Sequence, residues 1–200
     1  MTLDQIIREV QTAVEVEADG KPGPHTWTAI HDRLCDHEAV PDSIVTTAVD
    51  ARSETVIATL HPRVRTYARS FVQRAAAAGI TLKIISGLRT YEEQDALYAK
   101  GRTTDGSIVT KARGGYSNHN FGIAFDIGIF DGTKYLADSP RYKAAAAIGL
   151  DLGLEWGGNW KSIQDEPHYQ LRPSWAAGMS ESVMLAELRR RKDSARDFFA

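Results

Sequence analysis

The feature that most constrains this chain is a set of metal-ligand side chains split across two distant segments. Ser117-Asn118-His119-Asn120-Phe121-Gly122-Ile123-Ala124-Phe125-Asp126 places an imidazole and a carboxylate seven residues apart, with Gly122 between them. Asp165-Glu166-Pro167-His168-Tyr169-Gln170 adds a second imidazole far along the chain, with an acid three residues before it. For the three groups to act together, the fold has to lay residues 119–126 beside residue 168. Two histidines and one carboxylate, plus a spare acid, are the inventory of a catalytic zinc site: three protein ligands, an open position for water and a general base.

Each of these residues has a local reading. Gly122 lets the backbone turn so that His119 and Asp126 converge. Asp126 stands in an apolar strand between Phe125 and Ile127. A carboxylate there is costly unless it is paired or bound to a cation. Alone, it would be read as an edge residue facing water or as the partner of an arginine; with His119 before it and His168 after it, metal ligation is the better reading. Asp165 sits where an acid can reach a metal-bound water without binding the metal, accept its proton and pass it to a leaving amine. Glu166 is the rival base. On a strand, its two-residue offset would put it on the face of His168; on a turn, the three-residue offset of Asp165 fits better.

Composition excludes several classes. The chain has 200 residues, 42% hydrophobic and 25% charged, enough for one domain with a core and a small appendage. A net charge of -2 gives no reason to propose nucleic acid as a partner, since the phosphate backbone demands clustered cations. The single cysteine, Cys35, excludes an intramolecular disulfide framework and a cysteine-rich zinc site. No run approaches the roughly 20 apolar residues of a membrane span. Met1-Thr2-Leu3-Asp4-Gln5 lacks the basic start and apolar stretch of a secretory signal. The expectation is a monomer made in the cytoplasm that reaches an outside substrate by release or by another factor's export.

Periodicity divides the chain into residues 1–37, a helical segment; 38–53, a linker with Pro41 and room for a short helix; 54–178, the main domain; and 179–200, a basic C-terminal helix. Leu3, Ile6, Ile7, Val10 and Val14 mark an amphipathic helix. Asp19-Gly20-Lys21-Pro22-Gly23-Pro24 makes a loop, and Thr26-Trp27-Thr28-Ala29-Ile30 opens a second helix with Ile30 and Leu34 on its apolar face. In the main domain the pattern predicts a helix over 61–78, a strand over 81–86, a helix over 91–100 capped by Thr90, and a long polar loop to Ser117. It then predicts a strand over 124–130, a helix from Ser139-Pro140 to about Leu152, short strands near 154–156 and 168–171, and a last helix over 181–197 with Val183, Leu185 and Leu188 inward. This is an α+β fold: a small antiparallel or mixed sheet flanked by helices and carrying the zinc site, preceded by a short helical segment.

Two resemblances sharpen this. Asp19 to Trp27 is similar to the D-G-x-x-G-x-x-T-x loop of bacterial peptidoglycan-binding domains, over about half the length of a full module; the Gly and Pro residues are equally those of a plain turn. Residues 117–126 carry the signature S-x-H-x-x-G-x-A-x-D, with Asp165-x-x-His168-Tyr169-Gln170 as its second half and Ser86-Gly87-Leu88-Arg89-Thr90, then Gln94 and Leu97, as an upstream block. Over 54–175 the chain therefore resembles the M15-type zinc D,D-peptidases, which include D-Ala-D-Ala carboxypeptidases, dipeptidases and L-alanyl-D-glutamate endopeptidases. It is most similar to the last group, found among phage endolysins and wall-remodelling enzymes.

The resemblance implies Zn2+ held by His119, Asp126 and His168, with Asp165 as base. Arg89 is the candidate polarising cation, since a guanidinium keeps its charge and offers a planar fork to a developing oxyanion. Ser117, Gln94, Tyr169 and Trp160 are candidate substrate contacts. For Gln94 the alternatives are support of Arg89 or exposure to solvent. Trp156 is a cleft wall or a core residue. Arg189-Arg190-Arg191-Lys192 reads as a solvated helix face, or as a surface for anionic wall polymers. The expected substrate is the peptidoglycan stem peptide, cut between L-Ala and D-Glu in a cleft open at both ends. The alternatives are a D-Ala-D-Ala carboxypeptidase, which needs a further cation for the terminal carboxylate, such as one from the Thr110-Lys111-Ala112-Arg113 loop, and a non-catalytic wall-binding zinc module, for which Asp165 would have no use.

Overall fold

The computed structural model describes residues 2–14, 16–23, 26–27, 29–30, 48–161 and 164–200. The chain divides into two compact units, Met1–Ser43 and Ile44–Ala200.

In the first unit, helix α1 (Leu3–Ala13) starts with a reciprocal cap: Thr2 Oγ1 accepts from the Gln5 amide, and the Gln5 side chain accepts from the Thr2 amide. The expected apolar face differs from the observed one. Leu3, Ile6 and Val10 are exposed, and the buried residue of α1 is Gln11. Its amide nitrogen donates to Asp19 Oδ1 (2.8 Å), the Lys21 carbonyl (3.3 Å) and Thr26 Oγ1 (3.2 Å), while its oxygen accepts from the Gly20 amide (2.8 Å). The Asp-Gly loop is thus closed around one buried glutamine whose amide nitrogen and oxygen are both hydrogen-bonded. Thr26, Trp27, Ala29 and Ile30 are helical; Leu34, Cys35 and residues 38–47 of the expected linker lie outside the described residues.

The second unit begins with α2 (Ala51–Ile57), capped by Asp50. Its Ser53 hydroxyl accepts from the Ile84 amide at the free side of strand β1 (Leu82–Ser86). Helix α3 (Pro62–Ala77) follows, with Pro62 in its first turn. Helix α4 (Tyr91–Ala99) is opened by a Thr90–Glu93 capping box. Then come β2 (Ala124–Asp131), β3 (Lys134–Leu136), α5 (Arg141–Asp151), β4 (Glu155–Trp156), β5 (His168–Gln170) and α6 (Glu181–Asp193). The sheet is antiparallel throughout, in the order β1-β2-β5-β4, with β3 folded back on β2.

Alternation along the strands sends Phe125, Ile127, Ile129 and Tyr169 into a core with Val64, Ala68, Phe71 and Ala75 of α3 and Ala145 and Ala146 of α5. Phe71 is the hub: its ring lies 4.7 Å from that of Tyr169 and 6.3 Å from that of Phe125. Phe71→Ala should lower the unfolding free energy by about 3–5 kcal/mol in a urea titration. A loss below about 1 kcal/mol would mean that α3 is not docked on this face.

Helix α6 ends at Asp193, short of the expected 197. Ala195 takes φ 52° and the Arg196 amide bonds back to the Arg191 carbonyl at 2.8 Å. Its inward residues are Met184, Leu185 and Leu188, while Val183 is exposed. The basic run is largely engaged within the unit. Arg191 is buried, donating to Glu187 and the Asp197 carbonyl, Arg189 donates to the Gly115 carbonyl, and Lys192 sits 3.9 Å from the centre of the Tyr91 ring. No helix among the described residues is long and apolar enough to cross a membrane.

Candidate metal centre

The antiparallel register pairs Asp126 of β2 directly with His168 of β5. Directly opposed residues put their side chains on one face, with Cβ atoms about 4.5–5.5 Å apart. His119 arrives from the short 3-10 turn Asn118–Phe121 that precedes β2. Gly122 ends that turn at φ 64°, and a side chain there would stand 2.9 Å from the His61 amide nitrogen. A glycine is therefore required both by the left-handed backbone and by the close approach. The Arg89 amide donates to the His119 carbonyl, and the Asn120 side chain donates to the Arg89 and Thr90 carbonyls, so the upstream block is tied to the same turn.

Three atoms converge. His119 Nε2 lies 3.2 Å from Asp126 Oδ1, His168 Nδ1 lies 3.2 Å from the same oxygen, and the two ring nitrogens are 3.3 Å apart. The opposite ring nitrogens are engaged: His119 Nδ1 faces the Gly87 carbonyl at 2.8 Å, and His168 Nε2 faces Gln170 Oε1 at 3.0 Å. Both partners are acceptors, so each neutral ring carries its proton on that side and turns a lone pair to the centre. A tetrahedral zinc ion with bonds of about 2.0–2.2 Å spaces its ligand atoms about 3.3–3.5 Å apart. The observed spacings match that edge, and the donor set suits zinc. Among the described residues, this is the group of three that could hold a metal ion.

Burial and charge shift all three groups. Burial pushes the Asp126 carboxyl up, but the charges and hydrogen bonds of His119 and His168 outweigh it and hold it well below the usual carboxylate range. Burial pushes His119 down; at His168 burial is outweighed by Asp126, which pulls it up. Asp165 is half-buried on the turn before β5, with its amide bonded to the Gly157 carbonyl and its carbonyl accepting from the His168 amide. A side chain at Gly157 would stand 2.6 Å from the Asp165 carbonyl oxygen, so only glycine lets the turn after β4 lie here. Burial and the Asp126 charge push Asp165 up, partly offset by His168, His119 and Arg89. Glu166 faces elsewhere: its carboxylate is 3.9 Å from Lys143 Nζ, and its carbonyl accepts from the Trp156 indole. Of the two acids, Asp165 is the one coupled to the His119, Asp126 and His168 group.

Arg89 reaches the centre from the loop after β1. Its Nη1 donates to Gln94 Oε1 at 2.8 Å, and its Nη2 approaches Asp126 Oδ2 at only 3.4 Å, long for a charge-assisted bond. Gln94 has no exposed surface, and its amide nitrogen donates to Thr110 Oγ1 and the Ala112 carbonyl. It positions Arg89 instead of touching substrate, which corrects one expected contact. Tyr169 is a second correction. It neighbours His168 on β5, so alternation sends it to the opposite face, where it is wholly buried against Phe71 and Phe125. Trp160 remains at the rim, half-exposed, with its ring centre 4.8 Å from that of His168. Ser117 is half-buried at the start of the His119 turn, its carbonyl accepting from the Asn120 amide.

Sequence reasoning passed over the second ring of residues: Asn118, Asn120, Gln170, Glu155, Arg172 and Glu181. For Gln170 the signal was present, since i and i+2 on a strand share a face.

The protein-family model described as VanY, D-alanyl-D-alanine carboxypeptidase, matches residues 57–170. The peptidoglycan L-alanyl-D-glutamate endopeptidase CwlK of Bacillus subtilis (strain 168) is 39% identical over 127 residues, covering 58% of this chain and 75% of that protein. Among solved structures, the Serratia marcescens L-Ala D-Glu endopeptidase ChiX aligns with a TM-score of 0.48 and 23% identity, over 61% of this chain and 87% of its own. The D,D-pentapeptidase VanY of a VanB-type vancomycin resistance cassette, solved with Zn(II), aligns with a TM-score of 0.46 and 21% identity, over 65% of this chain and 83% of its own.

Proposed function

Because this chain belongs to the VanY family of D-alanyl-D-alanine carboxypeptidases, which are zinc metallopeptidases, we propose that it is a zinc-dependent endopeptidase of peptidoglycan stem peptides that hydrolyses the L-Ala–D-Glu bond. The observation that carries the metal reading is the triangle of His119, Asp126 and His168 atoms at 3.2–3.3 Å, each imidazole fixed from behind by an acceptor. Zinc bound there would supply a Lewis acid for the scissile carbonyl and lower the pKa of water to about 7. Asp165 takes the proton of the attacking water and delivers it to the leaving D-Glu amine. Arg89 turns its loosely held Nη2 to the carbonyl oxygen as negative charge develops there. Gln94 keeps the guanidinium in place, and Trp160 walls the rim beside His168.

The specificity rests on one observation. CwlK, the relative at 39% identity, carries that endopeptidase name. A groove of about 530 Å³ lies beside Arg89, walled by Val56, Ile85, Leu88 and Leu97 and edged by Glu93 and Lys100. The carboxypeptidase alternative needs a cation for a terminal carboxylate. Of the two loop cations the sequence offered, Lys111 and Arg113, the second lies with its guanidinium 4.9 Å from the Tyr98 ring centre on α4. Mass spectrometry of muropeptides after digestion tests the bond. The expected products are glycan strands ending in L-Ala and peptides with a free D-Glu amine. Release of single D-Ala residues with the L-Ala–D-Glu bond intact would move the protein to the carboxypeptidase branch.

A further inference from the structure

We infer that Gln170 is a positioning residue for the metal centre, held by a closed ring of side chains that makes the start of the C-terminal helix part of the support of His168. The inference rests on the reading of His119, Asp126 and His168 as metal ligands. For His168 Nδ1 to offer a lone pair, its proton must sit on Nε2, and that nitrogen needs an acceptor. Gln170 supplies it through Oε1 at 3.0 Å. A glutamine amide turned by half a rotation would present its NH2 instead and favour the wrong tautomer.

The ring prevents that rotation. Gln170 Nε2 donates to Glu155 Oε2 at 2.6 Å, and Glu155 is gripped by Arg172 through Nε (2.5 Å) and Nη2 (3.2 Å). Arg172 Nη2 also donates to Glu181 Oε2 at 2.8 Å, in the first turn of α6. Glu181 Oε1 accepts from Asn118 Nδ2, which also donates to Gln170 Oε1 at 2.5 Å and closes the circle. Carboxylates only accept and a guanidinium only donates, so both amides must give their NH2 to the acids. That leaves Gln170 Oε1 aimed at His168. Gln170 and Asn118 are buried, and Asn118 Oδ1 has no hydrogen-bond partner among the described residues, so its orientation serves the ring and not its own oxygen.

The test measures zinc dissociation constants by competition with a chromophoric chelator, on the full chain, with circular dichroism of the metal-free protein as the check on folding. Gln170→Leu should weaken zinc binding about 10–100-fold, the usual effect of removing a ligand's outer partner. Glu181→Ala, on the far side of the ring, should weaken it less but measurably, by at least about threefold. Gln170→Glu alone sets two carboxylates against each other and should also weaken binding. Combined with Glu155→Gln it restores one donor facing one acceptor, and affinity should return to within about threefold of the unaltered chain. This rescue decides the matter even if Gln170→Leu fails to fold, because a merely space-filling role would not respond to exchanged polarity. Zinc binding by folded Gln170→Leu within twofold of the unaltered chain, or no rescue by the paired exchange, would overturn the inference. Failure of the unaltered chain to bind zinc would instead overturn the metal-centre reading.

Discussion

Asp165→Asn should lose at least about 10²-fold in kcat while keeping its zinc, the lower range for removal of a general base. The amide is close in size to the carboxylate, and the main-chain bonds from residue 165 to Gly157 and His168 do not depend on the side chain. The turn that carries His168 should therefore survive, and what is lost is the capacity to hold a proton. Glu166→Gln is the matched control and should stay within about threefold, because its carboxylate faces Lys143 and not the ligand triangle. The reverse result, with Glu166→Gln inactive and Asp165→Asn active, would show that the bases have been exchanged. Stoichiometric loss of zinc from Asp165→Asn would make that residue a ligand.

The second large effect is at His119. His119→Ala removes one of three ligands, opens a cavity where the ring was buried, and leaves the Gly87 carbonyl without its partner. Hydrolysis should fall to background, below about 10⁻³ of the starting rate, because neither the Lewis acid nor the activated water can be assembled. Stability should respond as well. A ligand present at about 100 times its dissociation constant stabilises the folded state by about 2.7 kcal/mol, and the variant should lose that increment. Thermal melting with and without added zinc checks this: the unaltered chain should melt higher with zinc and His119→Ala should not. An equal zinc-induced rise in both proteins would remove His119 from the ligand set.

The metal triangle was legible in the sequence because local rules and long-range geometry agree there. The S-x-H-x-x-G-x-A-x-D stretch encodes both the turn at Gly122 and the strand that follows, and the apolar neighbours of Asp126 mark it as a carboxylate needing a partner. Most helices were legible through caps and punctuation: Thr90 before α4, Pro62 in the first turn of α3, Gly79 after it. Helix α2 was legible only as a short helix allowed within the linker, without its bounds, since a short run with only Ser53 and Ile57 buried carries no clear period. Strand β3 was passed over although Asp131-Gly132 between two apolar runs is a hairpin signal. The error at Tyr169 was avoidable, because adjacent strand residues cannot face the same side. At Gln94 the support of Arg89 was among the alternatives, but its full burial was not legible. Its burial depends on Arg89 before the helix and on Thr110 and Ala112 in the long loop beyond it, and nothing in the helix itself records them. The same holds for the ring around Gln170, whose members come from the 3-10 turn, two strands, the segment after β5 and the last helix.

The central claim is that hydrolysis depends on one metal ion held by His119, Asp126 and His168. The most direct measurement strips the protein of metal, restores zinc in steps, and records bound zinc per chain by elemental mass spectrometry beside the rate of stem-peptide hydrolysis. The account predicts no hydrolysis without metal, a rate that rises in proportion to bound zinc, and saturation at about one ion per chain, as for a single site with three protein ligands and one open position. Full hydrolysis by a preparation verified to be metal-free would contradict it.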